Sequence, residues 1–120
     1  MWQSFLKTGA RIVNGTDAPV EPLNPLPSFY ASVTRKTLRG FPEGGFEPEE
    51  KMTRAQALQS YTLDAAFGAF QDEMLGSVEV GKFADFAIFS KDIMTIDAEE
   101  ILQAEAVMTI VGGEVVYERE

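Results

Sequence analysis

The chain has 120 residues, the size of one ordinary domain, and 45% of them are hydrophobic, as in globular proteins. Its net charge of −9 argues against nucleic acid and anionic membranes as partners, because both require a positively charged face. The sequence has neither histidine nor cysteine, which excludes disulfides, an ordinary zinc site, a Ser-His-Asp triad and a Cys-His pair. No apolar run is long enough to span a membrane and no signal-peptide core is present, so we expect a cytoplasmic protein.

The first elements predicted are a short helix and a strand that ends in a carboxylate. Residues 2–10 have apolar side chains at helical spacing, and the apolar run 11–14 predicts a strand that stops at Gly15. Asp17 then lies at the carboxyl end of that strand, where α/β sheets place their chemistry. Asp and Gly are also common turn residues. These residues therefore leave two roles open for Asp17, a functional carboxylate or a simple turn.

A proline-rich loop and two helical regions follow. Four prolines within residues 19–27 indicate a loop, because proline lacks the backbone donor that helices and sheets use. Residues 28–37 predict a helix, so the order strand, loop, helix forms one βα unit. Glycine and proline mark residues 40–50 as a second loop. Thr53 and Gln56 have the spacing of a capping box and predict the start of the next helix.

A second helical piece is predicted around Phe67 and Phe70, whose rings we expect in the core together with Trp2. From residue 76 the pattern changes to short strands separated by turns, at 77–80 and 83–90, and an acidic start predicts a short helix over 98–103. Gly112 and Gly113 join two β-branched runs and predict a hairpin. The hairpin strands are residues 106–111 and 114–118.

Four stretches occur in the order found in one known family. The chain resembles the C-terminal portion of the metal-dependent amidohydrolase superfamily, most of all amidohydrolase family 3, over nearly its whole length. The stretches are A-R-I-V-N-G-T-D-A-P-V (10–20), M-T-R-A-Q-A-L-Q-S-Y-T-L-D-A-A (52–66), G-S-V-E-V-G-K-F-A-D-F-A-I-F (76–89) and V-M-T-I-V-G-G-E-V-V-Y (107–117).

The resemblance implies a (β/α)8 barrel with a small β-sandwich built from both ends of the longer chain. This chain would supply the last βα unit and C-terminal helices in residues 1–75, and sandwich strands in residues 76–120. The fold class is then α/β to α+β with an incomplete barrel. In the family the carboxylate that ends the eighth strand contacts the metal and activates the attacking water, and Asp17 matches it. The other family ligands, an H-x-H pair, a Lys or carboxylate and two later histidines, are missing here.

Three further residues have candidate roles. Glu21 follows the candidate strand and in family terms could shape a substrate pocket, although a solvated loop acid is the simpler interpretation. Lys82 and Asp85 belong to the G-K-x-A-D block, where the chain turns from barrel to sandwich. We expect Asp85 to make a local hydrogen bond or ion pair, of the kind that contributes about 0–1 kcal/mol when exposed.

Three hypotheses for function follow. In the first, the chain is a C-terminal fragment or truncated relative of a metal-dependent hydrolase of non-peptide C–N bonds, and it is inactive alone because Asp17 provides a single ligand. In the second, it is a small self-associating assembly protein, and in the third, one half of a split hydrolase. No cofactor is expected for the isolated chain, whereas the full-length family uses a zinc-type divalent metal. Unpaired strand edges predict a homo-oligomer or a complementary N-terminal fragment as partner.

Overall fold

Helices occupy the first half of the chain and the sheet lies in the second half. The computed structural model describes all residues from Met1 to Glu120. It shows a mixed α/β fold with a three-stranded antiparallel sheet. None of the helices is long and apolar enough to cross a membrane. The α-helices are α1 (Trp2–Leu6), α2 (Leu26–Thr34), α3 (Arg54–Tyr61) and α4 (Leu63–Gly68), the strands are β1 (Phe86–Phe89), β2 (Ala106–Val111) and β3 (Glu114–Glu118), and 3₁₀ helices span Pro48–Glu50 and Ala98–Gln103.

Helix α2 is confirmed, but it begins and ends earlier than residues 28–37. It starts at Leu26 because Pro27 fits the first turn of a helix. Backbone N–H groups in that turn have no acceptor within the helix, so the absence of an N–H in proline breaks no hydrogen bond. It ends at Thr34 because Arg35 adopts a left-handed conformation with φ of 53°. The backbone N–H of Arg35 donates to the carbonyl of Ala31 and closes the last turn.

The capping box at the start of α3 is confirmed. The N–H of Gln56 donates to Thr53 Oγ1 at 3.2 Å, and the N–H of Thr53 donates to Gln56 Oε1 at 2.9 Å. Two donors that the helix itself leaves without partners are therefore satisfied by side chains. This contact depends only on residues three positions apart, so the local sequence determines it.

We expect Thr53→Ala to lower the free energy of unfolding by about 1 kcal/mol, because the N–H of Gln56 loses its acceptor. Urea denaturation measured by circular dichroism would test this. Thr53→Ser keeps the hydroxyl and is the matched control, with an expected loss of a few tenths of a kcal/mol at most. Equal losses in the two variants would show that the cap does not stabilise α3.

Two predicted strands do not form. Residues 11–14 and residues 77–80 lie outside every helix and strand, and β1 begins at Phe86 rather than at residue 83. A strand is stabilised by hydrogen bonds to a neighbouring strand, and neither segment has one. In the first segment, the N–H of Asn14 donates instead to the carbonyl of Ser60 at 3.0 Å. The predicted βα unit is therefore present only as its helix.

The C-terminal hairpin forms as predicted, and its first strand, β2, is the central strand of the sheet. Strands β2 and β3 pair in antiparallel fashion, and β1 pairs with the other edge of β2. The turn residues Gly112 and Gly113 have φ of 59° and 86°, values that residues with a Cβ adopt at a cost. Asp85 Oδ1 accepts the N–H of Gly112 at 2.7 Å, so Asp85 makes a hydrogen bond as expected, but with a residue 27 positions away rather than with a local one.

The core is small and lies between α2, α3 and the 3₁₀ helix Ala98–Gln103. Only 13 of the 120 residues are buried, and they come from both sides of residue 75. The radius of gyration is 15.0 Å, compared with about 14 Å for a compact domain of this length. The division into residues 1–75 and 76–120 stays a prediction. The apolar core cluster is Leu26, Phe29, Tyr30, Met52, Ala57, Ile93, Ile101 and Ala104.

Two of the three aromatic residues expected in the core are exposed. Trp2 packs against the core cluster, and the Arg35 guanidinium lies 4.8 Å from its ring centroid. Phe67 is 45% exposed and Phe70 is 93% exposed, so their prediction is wrong. Both follow the last buried residue of α4, Ala66, and lie at or beyond the C-terminal end of that helix.

Candidate functional site

Asp17 is an exposed turn residue in this structure. It follows residues 11–14, as the sequence predicts, and its φ of 54° is left-handed. Its backbone carbonyl accepts the N–H of Val20 at 2.9 Å and closes a turn into the proline-rich loop. Its carboxylate makes no hydrogen bond or ion pair with any other side chain. The geometry therefore matches the turn interpretation, and the role of Asp17 in a metal site stays a prediction.

The residues of this chain do not fit a metal ion. Nowhere do three or more Asp, Glu, His or Cys side chains come close enough to hold one. A catalytic metal centre needs about three protein ligands in fixed geometry. Asp17 lies on none of the cavities in the structure. No chemical step through a metal can therefore be derived from these residues alone.

An arginine and a buried carboxylate anchor the segment that leads to Asp17. Asp64 on α4 is 2% exposed, and its Oδ1 lies 3.8 Å from Arg11 Nη1. The same carboxylate accepts hydrogen bonds from Gln59 Nε2 at 3.2 and 3.3 Å. The Arg11 guanidinium also lies 4.0 Å from the centroid of the Phe67 ring. These contacts hold Arg11 against α3 and α4 although no strand forms there.

A second contact holds the other end of the same segment. Asn14 Nδ2 donates to Ser32 Oγ at 3.0 Å, so the segment is attached to α2 as well. The sequence reasoning missed Asp64, Arg11 and Asn14 as positioning residues. The sequence pattern indicated these contacts only weakly, because polar side chains next to apolar residues in a helix or strand are often solvated.

The remaining candidate residues are structural or solvated. Lys82 Nζ donates to the carbonyls of Asp72 and Leu75 at 2.7 and 3.1 Å and lies 3.8 Å from Glu79 Oε2. It therefore closes the turn that precedes β1. Glu21 is exposed in the proline-rich loop and contacts no charged group.

A cavity lies between α4 and residues 75–78. Its volume is about 420 Å³, and its walls include Tyr61 and Ser77. The hydroxyls of these two residues are buried and have no hydrogen-bond partner. Burial raises the pKa of Tyr61, and the nearby Ser28 hydroxyl acts in the opposite direction. This cavity is separate from the turn that carries Asp17.

Comparison with known proteins connects these elements to one family. The chain is 30% identical over 117 residues to the N-substituted formamide deformylase of Arthrobacter pascens, covering 98% of this chain and 21% of that protein. It is 34% identical over 117 residues to the protein LONG AFTER FAR-RED 3 of Arabidopsis thaliana, covering 98% of this chain and 20% of that protein. The chain thus spans about a fifth of the length of the curated relatives it matches.

The fold is shared with a solved structure. The crystal structure of an amidohydrolase from Thermotoga maritima MSB8 superimposes with a TM-score of 0.70 at 20% identity, over 98% of this chain and 25% of that one. The matched region is a C-terminal portion of these longer proteins. The family model described as the amidohydrolase family matches residues 1–117. This 120-residue chain therefore belongs to the amidohydrolase family.

Proposed function

We propose that this chain is the C-terminal part of a metal-dependent hydrolase of non-peptide C–N bonds, and that it is inactive by itself. The observation that carries the proposal is the family match over residues 1–117, which includes Asp17 after the segment 11–14. The name of the deformylase relative, whose substrate contains a C–N bond, supports the substrate class. In this proposal residues 11–14 become the last barrel strand once neighbouring strands are supplied.

The isolation of Asp17 supports inactivity of the separate chain. One exposed carboxylate offers a single ligand, whereas a catalytic centre needs several in fixed positions. The anchoring of Arg11 by Asp64, and of Asn14 by Ser32, keeps the approach to Asp17 in place. The chain would then contribute a positioned carboxylate and require the other ligands from an N-terminal part.

The outer face of the sheet supports a complementary N-terminal part as partner. Phe89 points from the sheet toward the core cluster, so the residues that alternate with it lie on the opposite face. That face is apolar and at least partly exposed, as expected for one half of a sandwich. Its apolar residues are Phe86, Ile88, Met108, Ile110 and Val115.

A chimera tests the proposal. We would replace the matching C-terminal part of the Arthrobacter pascens deformylase with this chain and measure hydrolysis of an N-substituted formamide. We expect turnover by the chimera, a loss of at least about 100-fold for Asp17→Asn, and near-parental turnover for Glu73→Gln, the matched control at an exposed acid that forms no ion pair. We expect no turnover from the 120-residue chain alone.

Two results would contradict the proposal. A folded, active chimera that is unaffected by Asp17→Asn would show that Asp17 has no role in the reaction. Turnover by the isolated chain that Asp17→Asn abolishes would show that the chain is not inactive alone. Circular dichroism of each chimera would establish that the variants are folded before their rates are compared.

A further inference from the structure

Side chains, rather than a sheet, hold residues 11–14 in place. The backbone groups of Arg11, Ile12 and Val13 take part in no backbone–backbone hydrogen bond. The segment has one such bond, from the N–H of Asn14 to the carbonyl of Ser60 on α3, at 3.0 Å. The position of the segment on the helices therefore depends mainly on its side-chain contacts.

These contacts alternate along the segment. Arg11 and Val13 both contact α4, where Val13 lies against Gly68. Ile12, between them, packs against the core cluster, and Asn14 is hydrogen-bonded to α2. Successive side chains of a β-strand point to opposite sides in the same way. Helix α4 therefore receives one side of the segment, and α2 with the core cluster receives the other.

Gly68, the last residue of α4, leaves the space that Val13 occupies. Its φ is outside the left-handed region, so alanine could adopt the same backbone conformation and would favour the helix more than glycine does. A Cβ at position 68 would lie 2.9 Å from Val13 Cγ2 and 3.5 Å from Val13 Cγ1. The valine side chain is β-branched and stiff, so it does not easily rotate away. The close packing of Val13 on α4 therefore requires glycine at position 68.

We propose that Gly68 is a positioning residue for Asp17, because it admits Val13 against α4 and so sets where the segment 11–14 lies. A Cβ at position 68 would displace Val13 by about 0.6–1 Å, since non-bonded carbon atoms prefer separations of about 3.5–4.0 Å. Asp17 follows Val13 by four residues. A displacement of about 1 Å at a reacting group can lower a rate about 100-fold. The part of this inference that concerns the reaction rests on the proposed function.

Amide hydrogen exchange of the 120-residue chain, followed by NMR, tests the docking of the segment. We expect Gly68→Ala to accelerate exchange of the Asn14 N–H about tenfold, because displacement of Val13 weakens the adjacent hydrogen bond to α3. The N–H of Ala57, which is fully buried in α3, reports wider unfolding, and its exchange rate should change less than about twofold. Equal acceleration at Asn14 and Ala57 would overturn the proposal, since the effect would then be a general loss of stability.

Val13→Ala provides the matched background. The Val13 Cβ lies 3.8 Å from the position of the added methyl group, so without the two Cγ atoms there is room for it. Adding Gly68→Ala to Val13→Ala should therefore change the exchange of the Asn14 N–H less than about twofold. An acceleration as large as in the native background would overturn the proposal, and so would unchanged exchange in the single variant Gly68→Ala.

The chimera with the Arthrobacter pascens deformylase tests the effect on Asp17. We expect Gly68→Ala to lower kcat about tenfold and to change KM less than about twofold, since a displaced Asp17 affects the reacting step more than substrate binding. In the Val13→Ala background the same change should lower kcat less than about threefold. An unchanged kcat in a chimera that does depend on Asp17 would overturn the positioning role alone. A chimera unaffected by Asp17→Asn would overturn the proposed function, whereas the exchange rates of the separate chain would still decide the docking.

Discussion

Replacing Ile101 with alanine is expected to lower the free energy of unfolding by about 3–4 kcal/mol. Ile101 is fully buried in the 3₁₀ helix Ala98–Gln103, which packs against α2. Truncation removes apolar contacts and leaves a cavity, and the surrounding helices cannot close it completely. Because few residues are buried in this chain, the loss would be a large fraction of its total stability. Urea denaturation followed by circular dichroism measures it.

The matched control is Ile88→Ala on β1. Ile88 is 42% exposed on the outer face of the sheet, so its truncation is expected to cost about 1 kcal/mol or less in the separate chain. Equal losses at Ile101 and Ile88 would contradict the placement of the core between α2 and the 3₁₀ helix.

Gly45→Ala is the second change with a large expected effect, about 3–4 kcal/mol of lost stability. Gly45 has a φ of 89°, which residues with a Cβ rarely adopt. A Cβ at this position would also overlap the carbonyl oxygen of Thr34, at the C-terminus of α2. The backbone strain costs about 1–2 kcal/mol and the overlap about 1–3 kcal/mol more. Thermal and urea denaturation would both report the loss.

Gly44→Ala separates the two causes. Gly44 also has a positive φ, of 77°, but a Cβ there would meet no atom within 4 Å. Its expected cost is therefore the backbone strain alone, about 1–2 kcal/mol. If the two variants lost the same stability, the close approach of Gly45 to the end of α2 would have no energetic role.

The elements that the sequence predicted correctly depend on local contacts. The capping box joins residues three apart, and the hairpin needs only two β-branched runs around Gly112 and Gly113. The short helix over 98–103 forms as a 3₁₀ helix with the predicted bounds. The hydrogen bond of Asp85 is different, because it reaches the hairpin turn, 27 residues away, only through the pairing of β1 with β2.

The predictions that failed required partners distant in the sequence. Residues 11–14 and 77–80 have strand-forming residues, but strands need neighbours that are absent here. Phe70 is a large apolar residue of the kind found in cores, but it lies beyond the end of α4 and is 93% exposed. The anchoring of Arg11 by Asp64 joins residues far apart in the sequence, which a local pattern does not reveal.

The sequence by itself determined the family, the capping box of α3, the hairpin and the place of Asp17 after residues 11–14, because short motifs and nearest-neighbour geometry encode these features. Only the tertiary structure decided that Asp17 is an exposed turn residue, that Ser77–Val80 is unpaired beside a cavity, and that the core is small. These features depend on which distant surfaces meet, and burial and strand pairing are set by the whole chain together with whatever packs against it.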